Sequence, residues 1–309
     1  MKKKLVFIVI TLSLIVVVEV FMRLYFGFCD TVLMQSSPDY EYIAQPNQKR
    51  FRFRNHISYN NNSMRSKEVN QKAVKILGFG DSVINGGVQT DNDSLATTIL
   101  SDALTVNYQK EIQFLNISAG SWGPDNCYAY MEENGDFDAK AIFLFFSSHD
   151  AYDNMNFEPI IDLQKSFPSK QYISAIYELF DRYLVPRLIN KISNSKINDL
   201  GITKKSEESK FNTGFKSFLD YSNENNIPLV IYLHADNKEY QAGAYNEQGN
   251  EIIVFAQKNN IPIIQDLENN LELSDFRDGI HINSQGQKKL ANTILKYIHQ
   301  TPVHNILYK

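Results

Sequence analysis

The chain has 309 residues, enough for one domain with a buried core of about 200–250 residues plus an anchor and a linker. Its 35 acidic and 31 basic residues are well mixed and sum to −4, so no basic face is available to follow a phosphate backbone, and nucleic acid is not an expected partner. The two cysteines, Cys29 and Cys127, are too few for a disulfide scaffold and lack the paired spacing of a zinc site, leaving one Cys29–Cys127 bridge as a minor option.

In chain order, Lys2, Lys3 and Lys4 precede an apolar run over residues 5–22 whose only charge is Glu19. As a helix that run rises about 27 Å, close to the hydrocarbon thickness of a bilayer. Glu19 lies one turn before Arg23, so the two can pair near the outer interface, where a charge costs less than at the bilayer centre. The lysines favour a cytoplasmic N-terminus, which puts everything after Arg23 on the periplasmic or extracellular side. No small-residue cleavage site follows, because the chain reads Leu24, Tyr25, Phe26, Gly27, Phe28, so the span is expected to stay as a signal-anchor. Bulky Phe28 before Cys29 also argues against lipid attachment there. Residues 1–28 are therefore read as the cytoplasmic N-terminus and anchor.

Residues 29–72 are polar and turn-rich, with Pro38, Pro46 and the asparagines at 60–62, and are expected to form a stalk with short strands. The alternation Arg50, Phe51, Arg52, Phe53, Arg54 predicts one exposed strand. Its arginines are expected in solvent at a strand edge, contact with an anionic glycan being the rarer alternative.

Over residues 73–300 strands and helices alternate. Strands are predicted at 74–79, 112–117, 141–146, 228–233 and 261–264, and helices at 95–106, 125–133, 251–259 and 284–299. This rhythm predicts a parallel sheet covered on both faces. Residues 155–212 interrupt it with aromatic, helix-like sequence at 172–191, expected as an insertion over the active edge of the sheet.

Gly80-Asp81-Ser82 follows the first of these strands directly, with Gly86 and Gly87 behind it. In a parallel sheet ligands sit beyond the strand C-termini, and a serine on a strand-to-helix turn gains free backbone N–H groups to hold an oxyanion. Alone, the tripeptide reads equally as a helix cap and turn. Far along the chain, Asp278-Gly279-Ile280-His281 stands just before the final helix. This spacing lets the aspartate accept from His281 Nδ1–H and leaves Nε2 to take a proton from Ser82, although an isolated pair of this kind is more often a loop hydrogen bond.

Taken together, Gly80-Asp81-Ser82, the block 116–123 that starts at Asn116 and ends at Gly123, and Asp278 to His281 resemble the SGNH or GDSL hydrolase superfamily over roughly residues 73–298. The resemblance implies a three-layer α/β/α fold with a parallel sheet, here preceded by one transmembrane helix, and an esterase or acyl-transfer activity without metal or cofactor. The α/β-hydrolases fit less well, since their elbow needs glycine two residues after the serine, where this chain has Ile84. By the same resemblance Ser82, Asp278 and His281 are the catalytic residues, and the oxyanion hole is formed by Ser82, Ser121 and His149. Two of these depart from the usual pattern. Ser121 stands where the family usually has glycine, and His149, in Phe146-Ser147-Ser148-His149-Asp150, where it usually has asparagine. A backbone N–H serves whatever the side chain, and a histidine can donate one hydrogen bond as asparagine does.

Trp122 is a candidate wall for a sugar ring or acyl chain, with core packing the competing reading. His234 can line the site or be a satisfied neighbour, and Asp150 and Asp153 are expected only to order their loop. The expected function is removal or transfer of an acyl group, above all O-acetyl, on a cell-surface or secreted polysaccharide, with the membrane and an acylated carbohydrate or other ester as partners. The alternative is a catalytically weak glycan-binding or polysaccharide-assembly protein that keeps the hydrolase fold.

Overall fold

The computed structural model describes residues 2–193, 210–269 and 271–308. Helix α1 (Lys2–Phe26) is long and apolar enough to cross a membrane, with a mean hydropathy of 2.9 in its most apolar window and only 6% of that window buried by protein. It stops at Gly27, where φ is +67° and a Cβ would lie 1.8 Å from the Phe51 carbonyl oxygen, so only glycine lets the chain turn this close to the next element.

Two antiparallel hairpins follow, β1 (Met34–Ser37) with β2 (Glu41–Ala44), and β3 (Gln48–Arg52) with β4 (Asn55–Tyr59). The single strand expected over 50–54 is therefore a hairpin corner. Phe53 and Arg54 both take positive φ, 48° and 68°, as a two-residue turn joining right-twisted strands requires. Arg52 does not point into solvent. It is fully buried, bonded to Glu178 at 2.6 Å, to Tyr183 Oη at 2.7 Å and to the Gly27 carbonyl at 2.8 Å.

Residues 29–72 are likewise no stalk. Met34, Tyr42, Ile43, Ile57, Tyr59 and Met64 share one hydrophobic core with Leu77, Phe79, Leu115 and Trp122. Cys29 and Cys127 are unpaired, Cys127 being enclosed beneath the sheet, so the optional bridge is absent.

The main sheet is built from β5 (Val74–Gly80), β6 (Ile112–Ser118), β7 (Ala141–Ser147), β8 (Leu229–His234) and β9 (Ile263–Gln265). All neighbours are parallel, in the order β6-β5-β7-β8-β9. Between β5 and β6 come the single turn α2 (Ser82–Asn85) and α3 (Ala96–Tyr108); α4 (Pro124–Asn134) leads to β7. The insertion contributes α5 (Ala175–Glu178), a π-helical turn over Leu179–Leu184, and α6 (Val185–Ser193). Next come α7 (Gly214–Asn225) before β8, α8 (Asn237–Ala242) and α9 (Glu247–Lys258) before β9, and finally α10 (Ser284–Gln300) and α11 (Pro302–Tyr308).

Strand side chains alternate between two cores. Ile76, Phe114, Phe143, Phe145 and Tyr232 pack with α3, α10 and α11, whereas Leu77, Leu115, Leu144, Phe146 and Leu233 pack with the other helical layer and the hairpins. This is the three-layer α/β/α arrangement implied by the resemblance. From β5 the chain goes first to β6 on one side and then to β7 on the other, so a topological switch point lies at the C-terminal end of β5, directly before Ser82.

In the described part of the insertion, the middle bonds the chain around α1 and the hairpins: Pro168 O accepts from Met34 N at 2.8 Å, Gln171 Oε1 from Thr31 N at 3.0 Å, and Glu178 Oε2 from Cys29 N at 2.6 Å. Its two ends bond the segments beyond β6 and β7, Met155 N donating to Asp125 Oδ2 at 2.8 Å and Asn212 N to Ala151 O at 2.7 Å, while residues 194–209 lie outside the described residues.

Candidate active site

Strand β5 ends at Gly80, where a Cβ would meet the Phe145 carbonyl oxygen at 2.4 Å. Asp81 then caps α2, its Oδ1 accepting from Val83 N at 2.8 Å. Ser82 is thereby the first residue of a helical turn at the switch point. The structure brings the distant motif to it. Ser82 Oγ lies 2.8 Å from His281 Nε2, and His281 Nδ1 lies 3.0 and 2.9 Å from the two oxygens of Asp278.

Asp278 also accepts the backbone N–H of Ile280 at 3.0 Å and of His281 at 2.8 Å. Burial is the largest influence on its carboxyl and pushes the pKa up, but the His281 bond and these two N–H groups together hold it well below the usual carboxylate range. An ionised Asp278 at Nδ1 assigns the His281 proton to that nitrogen and turns the Nε2 lone pair toward the serine hydroxyl, the geometry a general base needs.

Several residues that carried no sequence signal position this trio. Arg277 donates to Gly86 O at 3.1 Å and to Thr90 Oγ1 at 3.3 Å, linking the Asp278 loop to the turn behind Ser82. Gln287 on α10 donates to Val83 O at 2.9 Å and accepts from Ala96 N at 3.0 Å. Arg65 is buried and donates to the carbonyls of Asn85, Gly87 and Thr90, holding the same turn from the hairpin side.

His234 does not line the site. It is 1% exposed and lies behind the Asp278 loop, with Nδ1 bonded to Asp266 and Nε2 2.7 Å from the Ile280 carbonyl. Both ring nitrogens face acceptors, and both bonds form only in the imidazolium. Burial, the largest influence, lowers the His234 pKa; the Asp266 charge and bond and the Ile280 carbonyl outweigh it and raise the net value.

Of the oxyanion candidates, neither Ser82 N–H nor Ser121 N–H has an acceptor among the described residues. Ser121 takes φ +59°, and Tyr42 Oη donates to Gly120 O at 2.8 Å and Ser121 O at 3.2 Å, fixing that turn. Trp122 is not a substrate wall. It is 0% exposed, its indole N–H donates to Tyr42 O at 2.8 Å, and it packs between Tyr40 and Tyr130 in the core.

His149 sits in the turn after β7, its side chain 40% exposed, with Nε2 3.9 Å from Asp81 Oδ2 and 3.5 Å from Asp150 Oδ1. The protein packed around the ring pushes its pKa down, while Asp81 and Glu239 pull it the other way. Asp150 accepts from Ser147 N at 2.6 Å through Oδ2, as expected of a loop-ordering residue, while its buried Oδ1 has no hydrogen-bond partner among the described residues, only the longer approach of His149 Nε2. Burial and then the Asp81 charge push the Asp150 carboxyl well above the usual range. Among the described residues, Asp81, His149 and Asp150 are the group with donor types and spacing suited to a metal ion, their ligand atoms lying within 4.8 Å of one another. Two surface cavities, one lined by Phe211, Glu251 and Phe255 and the other by Ser66, Thr98 and Leu115, include none of the triad residues.

No protein-family profile matches the chain, and no curated protein is similar to it in sequence. Solved structures similar to it include a member of the lipolytic protein G-D-S-L family from Veillonella parvula, 13% identical, with a TM-score of 0.42, covering 74% of this chain and 100% of that one. A two-domain esterase active on acetylated mannans is 14% identical with a TM-score of 0.41, covering 74% of this chain and 51% of that one. An acetyl xylan esterase from Geobacillus stearothermophilus is 13% identical with a TM-score of 0.40, covering 74% and 97% of the two chains.

Proposed function

We propose that this chain is a serine esterase or acyltransferase, anchored by α1 with its catalytic domain outside the cytoplasm, acting on short acyl esters, chiefly O-acetyl, of a cell-surface or secreted polysaccharide. The contact of 2.8 Å between Ser82 Oγ and His281 Nε2, backed by Asp278, carries the reading. Ser82 Oγ attacks the acyl carbonyl as its proton passes to His281 Nε2. The tetrahedral oxyanion takes hydrogen bonds from the N–H groups of Ser82 and Ser121 and from His149. His281 then returns the proton to the departing sugar oxygen, leaving acyl-Ser82, and the second half repeats these steps with water or another hydroxyl as the nucleophile. Water makes an esterase and a sugar hydroxyl makes a transferase. Support for a small acyl group on a bulky carrier comes from the open rim, where Asp278 is 44% exposed and Ser82 partly so.

His149 favours the second reading, a binding or assembly protein with weak catalysis, because it stands where the resemblance implies an asparagine and one of its nitrogens lies 3.9 Å from Asp81 and 3.5 Å from Asp150. Fluorophosphonate labelling and p-nitrophenyl acetate hydrolysis by the wild type and by Ser82→Ala separate the two. The enzymatic reading expects labelling and turnover that vanish in the variant; no labelling of the wild type rejects it, and equal labelling of both moves the nucleophile away from Ser82.

A further inference from the structure

Near the end of α1 the insertion returns to touch the helix. Glu19 pairs with Arg23 at 2.7 Å and accepts the backbone N–H of Ala175 at 2.7 Å, that of Ile176 at 3.0 Å and the Ser174 hydroxyl at 3.0 Å. Arg23 in turn donates to the Ile173 carbonyl. The start of α5 is thus pinned to the last two turns of α1, at the level where the apolar run of a spanning helix gives way to headgroups.

Within residues 172–180 the exposed side chains are apolar or aromatic, with the basic heads of Arg23 and Arg54 close by, as suits a headgroup level. Ile173 is 94% exposed, Tyr177 60% and Phe180 53%, beside Phe21 at 53% and Tyr25 at 44% on α1. Aliphatic tips with aromatic rings, continuous with a spanning helix, have the chemistry of the boundary between acyl chains and headgroups.

We propose that the turn and helix start at 172–180 are a second membrane contact, with Ile173, Tyr177 and Phe180 seated in the outer lipid interface beside α1. This rests on the reading of α1 as a membrane anchor. A lone anchor would let the domain swivel, whereas two contacts fix its tilt. The fixed orientation has a consequence for substrate. Phe53 N donates to Phe26 O at 2.8 Å, and Asn55 Nδ2 donates to Val88 O at 3.1 Å, so the hairpin corner alone separates the end of α1 from the loop following Ser82. The catalytic rim is held close to the bilayer, which favours esters presented at the membrane surface.

The test uses the full chain with Ile173→Trp, reconstituted in phosphatidylcholine/phosphatidylglycerol vesicles with or without acyl-chain-brominated phosphatidylcholine. Wild-type chain supplies the constant emission of buried Trp122, and Val106→Trp, 74% exposed at the opposite rim on α3, serves as the aqueous reference. The contact predicts blue-shifted emission from the added tryptophan and loss of about half of it in brominated vesicles, with no such loss at position 106. Water-like, unquenched emission from a chain that resists carbonate extraction overturns the second contact and leaves the anchor standing. Blue-shifted but unquenched emission overturns it in favour of a protein partner, here a second copy. Release of the wild-type chain by carbonate removes the anchor reading itself, and the second contact with it.

Discussion

Replacing Asp278 by asparagine probes the charge behind the base while sparing the loop. In Asp278→Asn the amide oxygen can still accept the N–H groups of Ile280 and His281 that the carboxylate now accepts at 3.0 and 2.8 Å, so the turn should persist. What disappears is the negative charge about 3 Å from the imidazolium that forms in the transition state. At an effective dielectric of about 40, intermediate because Asp278 is 44% exposed, Coulomb's law gives about 3 kcal/mol, and solvent screening brings it to about 2–3 kcal/mol. The expected loss in kcat on p-nitrophenyl acetate is about thirty- to a hundred-and-sixtyfold, with a matching fall in the rate of fluorophosphonate labelling. The melting temperature should move by no more than about 4 °C. Turnover within threefold of wild type, in a variant that melts like wild type, would refute the assignment of Asp278 as the group that orients and charges the base.

Other perturbations address separate parts of the structure. His149→Ala should lower turnover about a hundredfold if the ring donates to the oxyanion, and a wild-type rate in that variant excludes the role. Glu178→Ala leaves Arg52 buried without a counter-charge, which should cost about 3–5 kcal/mol and lower the melting temperature by about 6–20 °C; an unchanged melt would show that the pair holds nothing together. His234 has a folded pKa raised above its ordinary 6.5, so its contribution to stability is complete below about 6.5 and is lost as pH rises through the raised value. Denaturation midpoints should therefore fall as pH rises above about 6.5 in wild type and stay flatter in His234→Phe; identical pH profiles for the two would rule this out. Asp153, pushed up to about 7 by burial and then by Asp125 and Asp81, acts with the same sign in a lower window, its contribution complete below about 4 and lost by about 7. Asp153→Asn should remove that part of the slope, and an unaltered slope would show that Asp153 does not cause it.

The layered α/β fold was legible because strands buried on both faces read as continuous apolar runs, as in 141–146 against the observed Ala141–Ser147. Ser82 and the Asp278–His281 spacing were legible because a strand end and a short turn are local devices, set by residues a few positions apart. Helices α7 and α8 were not anticipated: α8 has only six residues, too few for a periodic pattern, and α7, although amphipathic, directly follows the interrupting segment 155–212.

What the pattern could not supply was the identity of partners far along the chain. Arg52 in an alternating strand looks solvated until Glu178, 126 residues later, arrives to neutralise it. Trp122 beside a motif block looks like a wall until the hairpin carbonyl of Tyr42 covers its indole nitrogen. Gln287 meets Val83 across 204 residues, and His234 finds Ile280 across 46. Periodicity records which face of an element is apolar, so local pattern specifies the elements and the chemically special residues at their ends. Whether a polar side chain is buried depends on the element packed against it, which is known once the chain has closed on itself.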